Sequence, residues 1–189
     1  MIKNPISLPF RSLTVSGRVA SGATTLSRGL ADTLNWHLYN CGEIYRLYAK
    51  EMGIPLERTD LSSDNYHLKL DNYIKKKLNK EKYIIVESWL AGYDAQGIDK
   101  VFKIFVDCSD FSLRVDRLVN REKMTIQEAK EHLIKRESEN LIKWKKLYGT
   151  SDFWNPKLYD LVIDTYKYGP VETLDLTLAA LNYQTSKTP

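Results

Sequence analysis

Gly17-Arg18-Val19-Ala20-Ser21-Gly22-Ala23-Thr24-Thr25 is the stretch whose residue types and spacing point to chemistry. Two glycines bracket four residues, and two hydroxyl side chains follow. A short β-prone run, Arg11 to Ser16, precedes the stretch, and Leu26, Leu30, Ala31 and Leu34 follow at helical spacing. Strand, glycine-bounded loop and helix are the context of a phosphate-binding P-loop, where main-chain N–H groups at a helix N-terminus form a nest for anions. The same spacing also serves a plain strand-to-helix turn that binds nothing. One residue departs from the pattern G-x-x-x-x-G-K-[ST]: Ala23 stands at the lysine position. A backbone cradle survives that change. The mobile ammonium that follows phosphoryl charge does not.

A cradle of this kind needs a sheet edge, and the rest of the chain predicts one. Strands are expected at about 11–16, at Trp36–Tyr39, at Tyr83–Val86, at Val101–Val106 and at Leu158–Ile163. Helices are expected at about 23–34, from an Asn40 cap to near Gly53, at 64–78 behind Ser62 or Ser63, and from Ser109 or Asp110 to Arg121. A capping box, Thr125 to Glu128, opens a long helix to Tyr148 with Gly149 as its stop, and a last helix covers about 171–183. Strands alternating with helices imply an α/β fold with a parallel sheet covered on both faces. Right-handed crossovers then bring the P-loop, Gly42, Glu87 and Asp107 to one edge, where ligands bind in such sheets.

The bulk composition bounds the partners. A chain of 189 residues predicts a single domain, with an irregular leader at 1–10 and a frayed polar tail at 184–189. A net charge of +4 with interleaved acids and bases argues against a nucleic-acid arm. Two cysteines, Cys41 and Cys108, are too few for a disulfide scaffold, and no apolar run approaches a membrane span, so a cytoplasmic protein outside the membrane is expected. His37, His67 and His132 are scattered and neither cysteine has metal-ligand spacing, so no zinc site or Cys/His pair is expected.

Several stretches resemble the short archaeal type of cytidylate kinase, over about residues 11–182. They are Asn40-Cys41-Gly42-Glu43-Ile44-Tyr45-Arg46, Leu90-Ala91-Gly92, the arginines Arg114, Arg117 and Arg121, Arg136-Glu137-Ser138-Glu139, Tyr148-Gly149, and Tyr159 to Thr165. The resemblance implies a three-layer P-loop fold on a five-stranded parallel sheet, with an acceptor-binding segment at about 42–80 and a lid at about 121–137. It implies transfer of the γ-phosphoryl of ATP, with Mg²⁺, to a pyrimidine nucleoside monophosphate such as CMP or dCMP, in a monomer or weak dimer. Gly17 to Thr25 would wrap the donor phosphates and Thr24 would reach Mg²⁺. Arg46 would hold the acceptor phosphate, a task suited to a planar fork. Arg121 and Arg136, with Lys143 on the face of Arg136, would neutralise phosphate charge from a lid. Asp71 would accept from a base amino group, and Glu87 and Trp89 are further acceptor-side candidates.

Three places depart from the family pattern. Ala23 lacks the lysine, Trp89 replaces an arginine near the acceptor, and Asn72 and Tyr73 replace basic residues beside Asp71. Arg18 lies inside the loop and can fold over the β- or γ-phosphate in compensation. Three readings follow: an active but altered nucleotide kinase, a nucleotide-binding protein without transfer, and a kinase with a different small acceptor, where Trp89 would fill or stack in the acceptor pocket.

Overall fold

The computed structural model describes residues 5–183. Its centre is β1 (Ser12–Gly17), buried at every position. The strand pairs in parallel with β3 (Ile84–Glu87) on one side and β4 (Val101–Asp107) on the other. β2 (His37–Asn40) and β5 (Leu161–Asp164) complete a five-stranded parallel sheet of order β2-β3-β1-β4-β5. The continuous apolar run of β3 suits a strand covered on both faces, and β4 is apolar up to Asp107 but for Lys103.

On one face, Leu13, Val15, Ile85, Ile104 and Val106 pack against Leu26, Leu30 and Leu34 of α1 (Ala23–Leu34) and Leu178 of α7 (Pro170–Ala180). On the other, Ile84, Val86 and Val101 meet Ile74 and Leu78 of α3 (Asp64–Lys80) and Ala91 of α4 (Ala91–Asp94). α2 (Cys41–Glu51) is capped by Asn40, whose side chain accepts from the Glu43 N–H, as its sequence predicts. α5 (Phe111–Glu122) is capped by Asp110, and α6 (Ile126–Tyr148) carries the predicted capping box and the Gly149 stop.

Element boundaries shift where backbone geometry decides. Tyr83 has φ +60° and lies outside β3, so that strand starts one residue later than its apolar run suggests. Pro156–Leu158 forms a 3-10 turn, so β5 begins at Leu161 and not Leu158. Residues 5–10 take no regular structure, yet Ile6, Leu8 and Phe10 pack on the core and the Ile6 N–H donates to the Leu34 carbonyl. The first four residues of the expected leader, and the tail at 184–189, lie outside the described residues. No helix among the described residues is long and apolar enough to cross a membrane.

One side chain expected at a lid works elsewhere. Lys143 is buried on α6 and donates to the carbonyls of Thr59 (3.1 Å) and Ser62, with Asp64 at 3.3 Å. Asn140, one turn earlier, donates to Thr59 Oγ1 at 3.0 Å. Two charge-assisted bonds to carbonyls and a nearby carboxylate together satisfy the buried ammonium. These two residues tie α6 to the turn at 59–62, which precedes α3.

Candidate active site

The C-terminal edge of the sheet opens into a cavity of about 320 Å³ above the 17–25 loop. The loop is held from outside by its carbonyls. Arg114 Nε donates to Val19 O at 2.9 Å, and Arg117 Nη1 donates to Ala20 O at 3.1 Å and Ser21 O at 3.2 Å. Thr165 Oγ1 donates to Ser21 O at 2.6 Å. In a trans peptide the N–H points opposite to its carbonyl, so the Ala20 and Gly22 amides face inward. Gly22, at φ +102°, precedes α1 and no side chain caps that helix, which leaves its positive end open. Ala23 adds only a methyl group, packed with the Leu13–Leu30 core.

Of the arginines that share a face of α5, two are therefore spent on the loop. Arg114 is buried, and its guanidinium also pairs with Glu137. Arg117 lines the cavity but is committed to the loop and to Thr165. Helical spacing puts the three arginines in one phase and does not distinguish bracing a loop from facing a phosphate. Arg121 lines the cavity and, among the described residues, pairs only with its exposed neighbour Glu122, at 2.8 Å.

Arg46 from α2 and Arg136 from α6 line the same cavity, and among the described residues neither forms an ion pair. Arg136 is only 6 % exposed. Burial, followed by the nearby charges of Arg46 and Arg121, pushes its pKa down to about 10, so it stays charged at neutral pH. Cations crowded together without counter-ions are what an anion site looks like before its anion arrives. Arg18 also lines the cavity, with its guanidinium 4.8 Å over the Trp154 ring.

Glu87, at the end of β3, is buried and accepts from Thr24 Oγ1 at 3.2 Å. Its second oxygen, Oε2, is buried with no partner. Burial raises its pKa, opposed by the Thr24 hydrogen bond and by Arg46. No three His, Cys, Asp or Glu side chains among the described residues cluster as a metal site. A hydroxyl and one carboxylate match the sparse protein ligation of Mg²⁺, which keeps waters and substrate oxygens. The residues present therefore fit that ion.

Asp71 stands apart from the main cavity. It lines a smaller recess with Tyr45, His67, Trp89, Arg136 and Asn140, and its Oδ2 accepts from the Tyr148 hydroxyl. Trp89 lines both spaces and forms the wall between them. His67 is buried, hydrogen-bonded to Ser62 Oγ at 2.7 Å, and pushed down to about 4 chiefly by burial, so it is neutral. Trp154 was not singled out by sequence reading; only its aromatic character in a polar loop signalled it.

Asp71 is held above the ordinary carboxylate range by burial and by the Asp94 carboxylate, which burial also raises. An acid kept protonated by the fold stabilises it fully below its unfolded pKa near 4 and loses that contribution as pH rises. Stability is therefore expected to fall as pH climbs from about 4 through neutrality, by at most about 1.4 kcal/mol per unit for each proton retained. Asp71→Asn, neutral throughout, is expected to flatten that slope. Melting temperatures at pH 5 and pH 8 measure it, and an unchanged slope in the variant counts against the assignment.

The parallel sheet, the glycine loop leading into α1 and the cationic cavity above them together define the fold of the P-loop kinases. A gluconokinase from Sinorhizobium meliloti superposes with a TM-score of 0.61 at 15% identity, covering 93% of this chain and 94% of that one. A shikimate kinase from Aquifex aeolicus gives 0.53 at 19% identity, over 90% and 96%. The sequence is 34% identical over 174 residues to a cytidylate kinase from Methanosarcina acetivorans, covering 90% of this chain and 96% of the relative. The model of the cytidylate kinase-like family matches residues 57–167. The chain belongs to the cytidylate kinase-like family.

Proposed function

We propose that the protein transfers the γ-phosphoryl group of ATP to a nucleoside monophosphate, with CMP and dCMP the first acceptors to try. The observation that carries this reading is the convergence of Arg46 and Arg136, neither ion-paired among the described residues, in one cavity with the 17–25 loop. Phosphoryl transfer asks for alignment and positive charge more than for covalent chemistry. The amides of 17–25 would hold the donor phosphates. Arg46, on the first turns of α2, would hold the acceptor phosphate, and Arg121, Arg136 and Arg18 would balance charge on the group in flight. Thr24 and Glu87 would hold Mg²⁺, which supplies charge neutralisation between the donor phosphates when bound. Residues 42–80 would carry the acceptor and 121–137 would close over it, with Asp71 and Trp89 bounding the base recess. Turnover is lowered relative to lysine-bearing loops, because no ammonium tracks the moving charge from Ala23.

The test is ADP release in a coupled assay with each nucleoside monophosphate in turn. Turnover is expected with a cytidine acceptor; no turnover with any acceptor overturns the reading. The burial of Ala23 in the core, where a lysine would offer its charge, favours a second reading: a nucleotide-binding protein without transfer. Stabilisation by ATP and CMP in thermal shift without turnover would select it. Thr24→Val is expected to raise the Mg²⁺ concentration needed for half-maximal rate by about 10–100-fold. Titrating Mg²⁺ at saturating ATP measures this, and an unshifted midpoint removes Thr24 from the metal site.

A further inference from the structure

Trp89, Trp144 and Trp154 pack in one cluster, with Trp89 lining the main cavity and Trp144 the smaller recess. Ring centroids lie 5.2 Å apart for Trp89 and Trp144, 6.0 Å for Trp89 and Trp154, and 6.4 Å for Trp144 and Trp154. Trp154 Nε1 donates to the Trp89 carbonyl at 3.3 Å, which locks the two indoles in register. Each of these two rings carries a cation. The Arg18 guanidinium lies 4.8 Å over Trp154, and the Arg136 guanidinium lies 5.5 Å over Trp89. Among the described residues neither arginine has a carboxylate partner. Both line the main cavity beside the loop.

The chemistry of these contacts is specific. A carboxylate would fix an arginine but cancel its charge. An indole face fixes it through the ring quadrupole and leaves both the charge and the in-plane N–H donors free. That is the arrangement a polyphosphate site needs when its loop has lost an ammonium. We propose that Trp89 and Trp154 form a platform that positions Arg18 and Arg136 as the polyphosphate-binding cations of this chain, jointly supplying the charge that Ala23 does not. Trp89 and Trp154 are positioning residues, and the assignment rests on the phosphoryl-transfer reading of the same cavity. Trp89 thereby acts through Arg136 while its other side bounds the recess that holds Asp71.

The experiment measures binding of MgATP, and of inorganic tripolyphosphate, to the full chain by calorimetry. Trp89→Leu is expected to weaken tripolyphosphate about tenfold, and Trp89→Phe, which keeps a ring face, to recover all but about threefold. In an Arg136→Met background, Trp89→Leu is expected to add no further loss, because the ring then seats nothing. Trp89→Arg sets another guanidinium against Arg136, so binding weakens. Unchanged binding in Trp89→Leu, a loss that persists undiminished in the Arg136→Met background, or tighter binding in Trp89→Arg each overturn the platform. If Trp89→Leu does not fold, Trp154→Leu against Trp154→Phe with Arg18→Met gives the same cycle. Wild-type protein that binds neither polyphosphate overturns both this inference and the function it rests on. Wild-type binding with insensitive tryptophans overturns the platform alone.

Discussion

Arg136→Met is expected to lower kcat by about 10²–10³ while raising the melting temperature of the nucleotide-free protein. The rate loss is that of removing one pre-positioned donor from a transition state that carries phosphoryl charge. The stability gain comes from the same side chain. Arg136 is buried with no carboxylate among the described residues and feels the charges of Arg46 and Arg121. Its folded pKa, near 10, lies below the ordinary arginine value, so the charged form opposes folding at every pH below 10, with relief only as pH rises beyond that. Replacing a buried ion pair by well-packed apolar residues is neutral or stabilising by about 1–4 kcal/mol, and Arg136, whose burial is offset by the Trp89 ring and no carboxylate among the described residues, is expected to fall in that range. For a chain of this size that is a rise of roughly 2–4 °C per kcal/mol. Adding ATP should reverse the order, because the anion supplies the missing counter-charge to the wild type only. Kinetics and thermal scans with and without nucleotide decide the matter. A variant with a lower melting temperature and full activity would make Arg136 a structural residue.

Gly17→Ala is expected to abolish measurable nucleotide binding and to cost about 1–3 kcal/mol in stability. Gly17 ends β1 at the point where the chain turns into the loop. A Cβ there would meet Ser21 Oγ at 2.5 Å, the Ala23 Cβ at 2.8 Å and the Val106 carbonyl at 2.8 Å. The carbonyl belongs to the neighbouring strand and cannot withdraw, so the loop must move, and its amides lose their common focus. Gly22→Ala is the informative contrast. Its nearest neighbour is the Thr165 methyl at 3.5 Å, so space is available, and the penalty is only that of placing alanine at φ +102°. Calorimetry with MgATP beside denaturant unfolding separates the two. Retained binding in Gly17→Ala would mean that the cradle does not depend on this close approach.

The order of strands and helices was legible because apolar segments at strand or helix spacing are separated by glycine, proline and cap residues. The Asn40, Asp110 and Thr125 caps could be read because a cap is a local event, complete within four residues. What could not be read was the use of a charge once it is on a face. Arg114, Arg117 and Arg121 have the same helical phase, yet one pairs with Glu137, one holds the loop and one faces the cavity. Their partners come from residues 19–21, 137 and 165, far along the chain, and helical spacing carries no information about them. Lys143 and Arg136 share a face in the same way and go to different tasks. Trp154 escaped notice because its contact, Arg18, is 136 positions away and neither residue sits in a periodic pattern.

The tie between α6 and the turn at 59–62 has an implication for how this chain can drift over generations. Lys143 grips main-chain oxygens, which every amino acid supplies, so the grip is blind to what residues 59 and 62 become. The exposed positions 60 and 61 can therefore change while the helix bearing Arg136 stays anchored, whereas Thr59 and Ser62 are also held through their side chains, by Asn140 and by His67. Drift at the surface of the turn is thereby uncoupled from the placement of the cation.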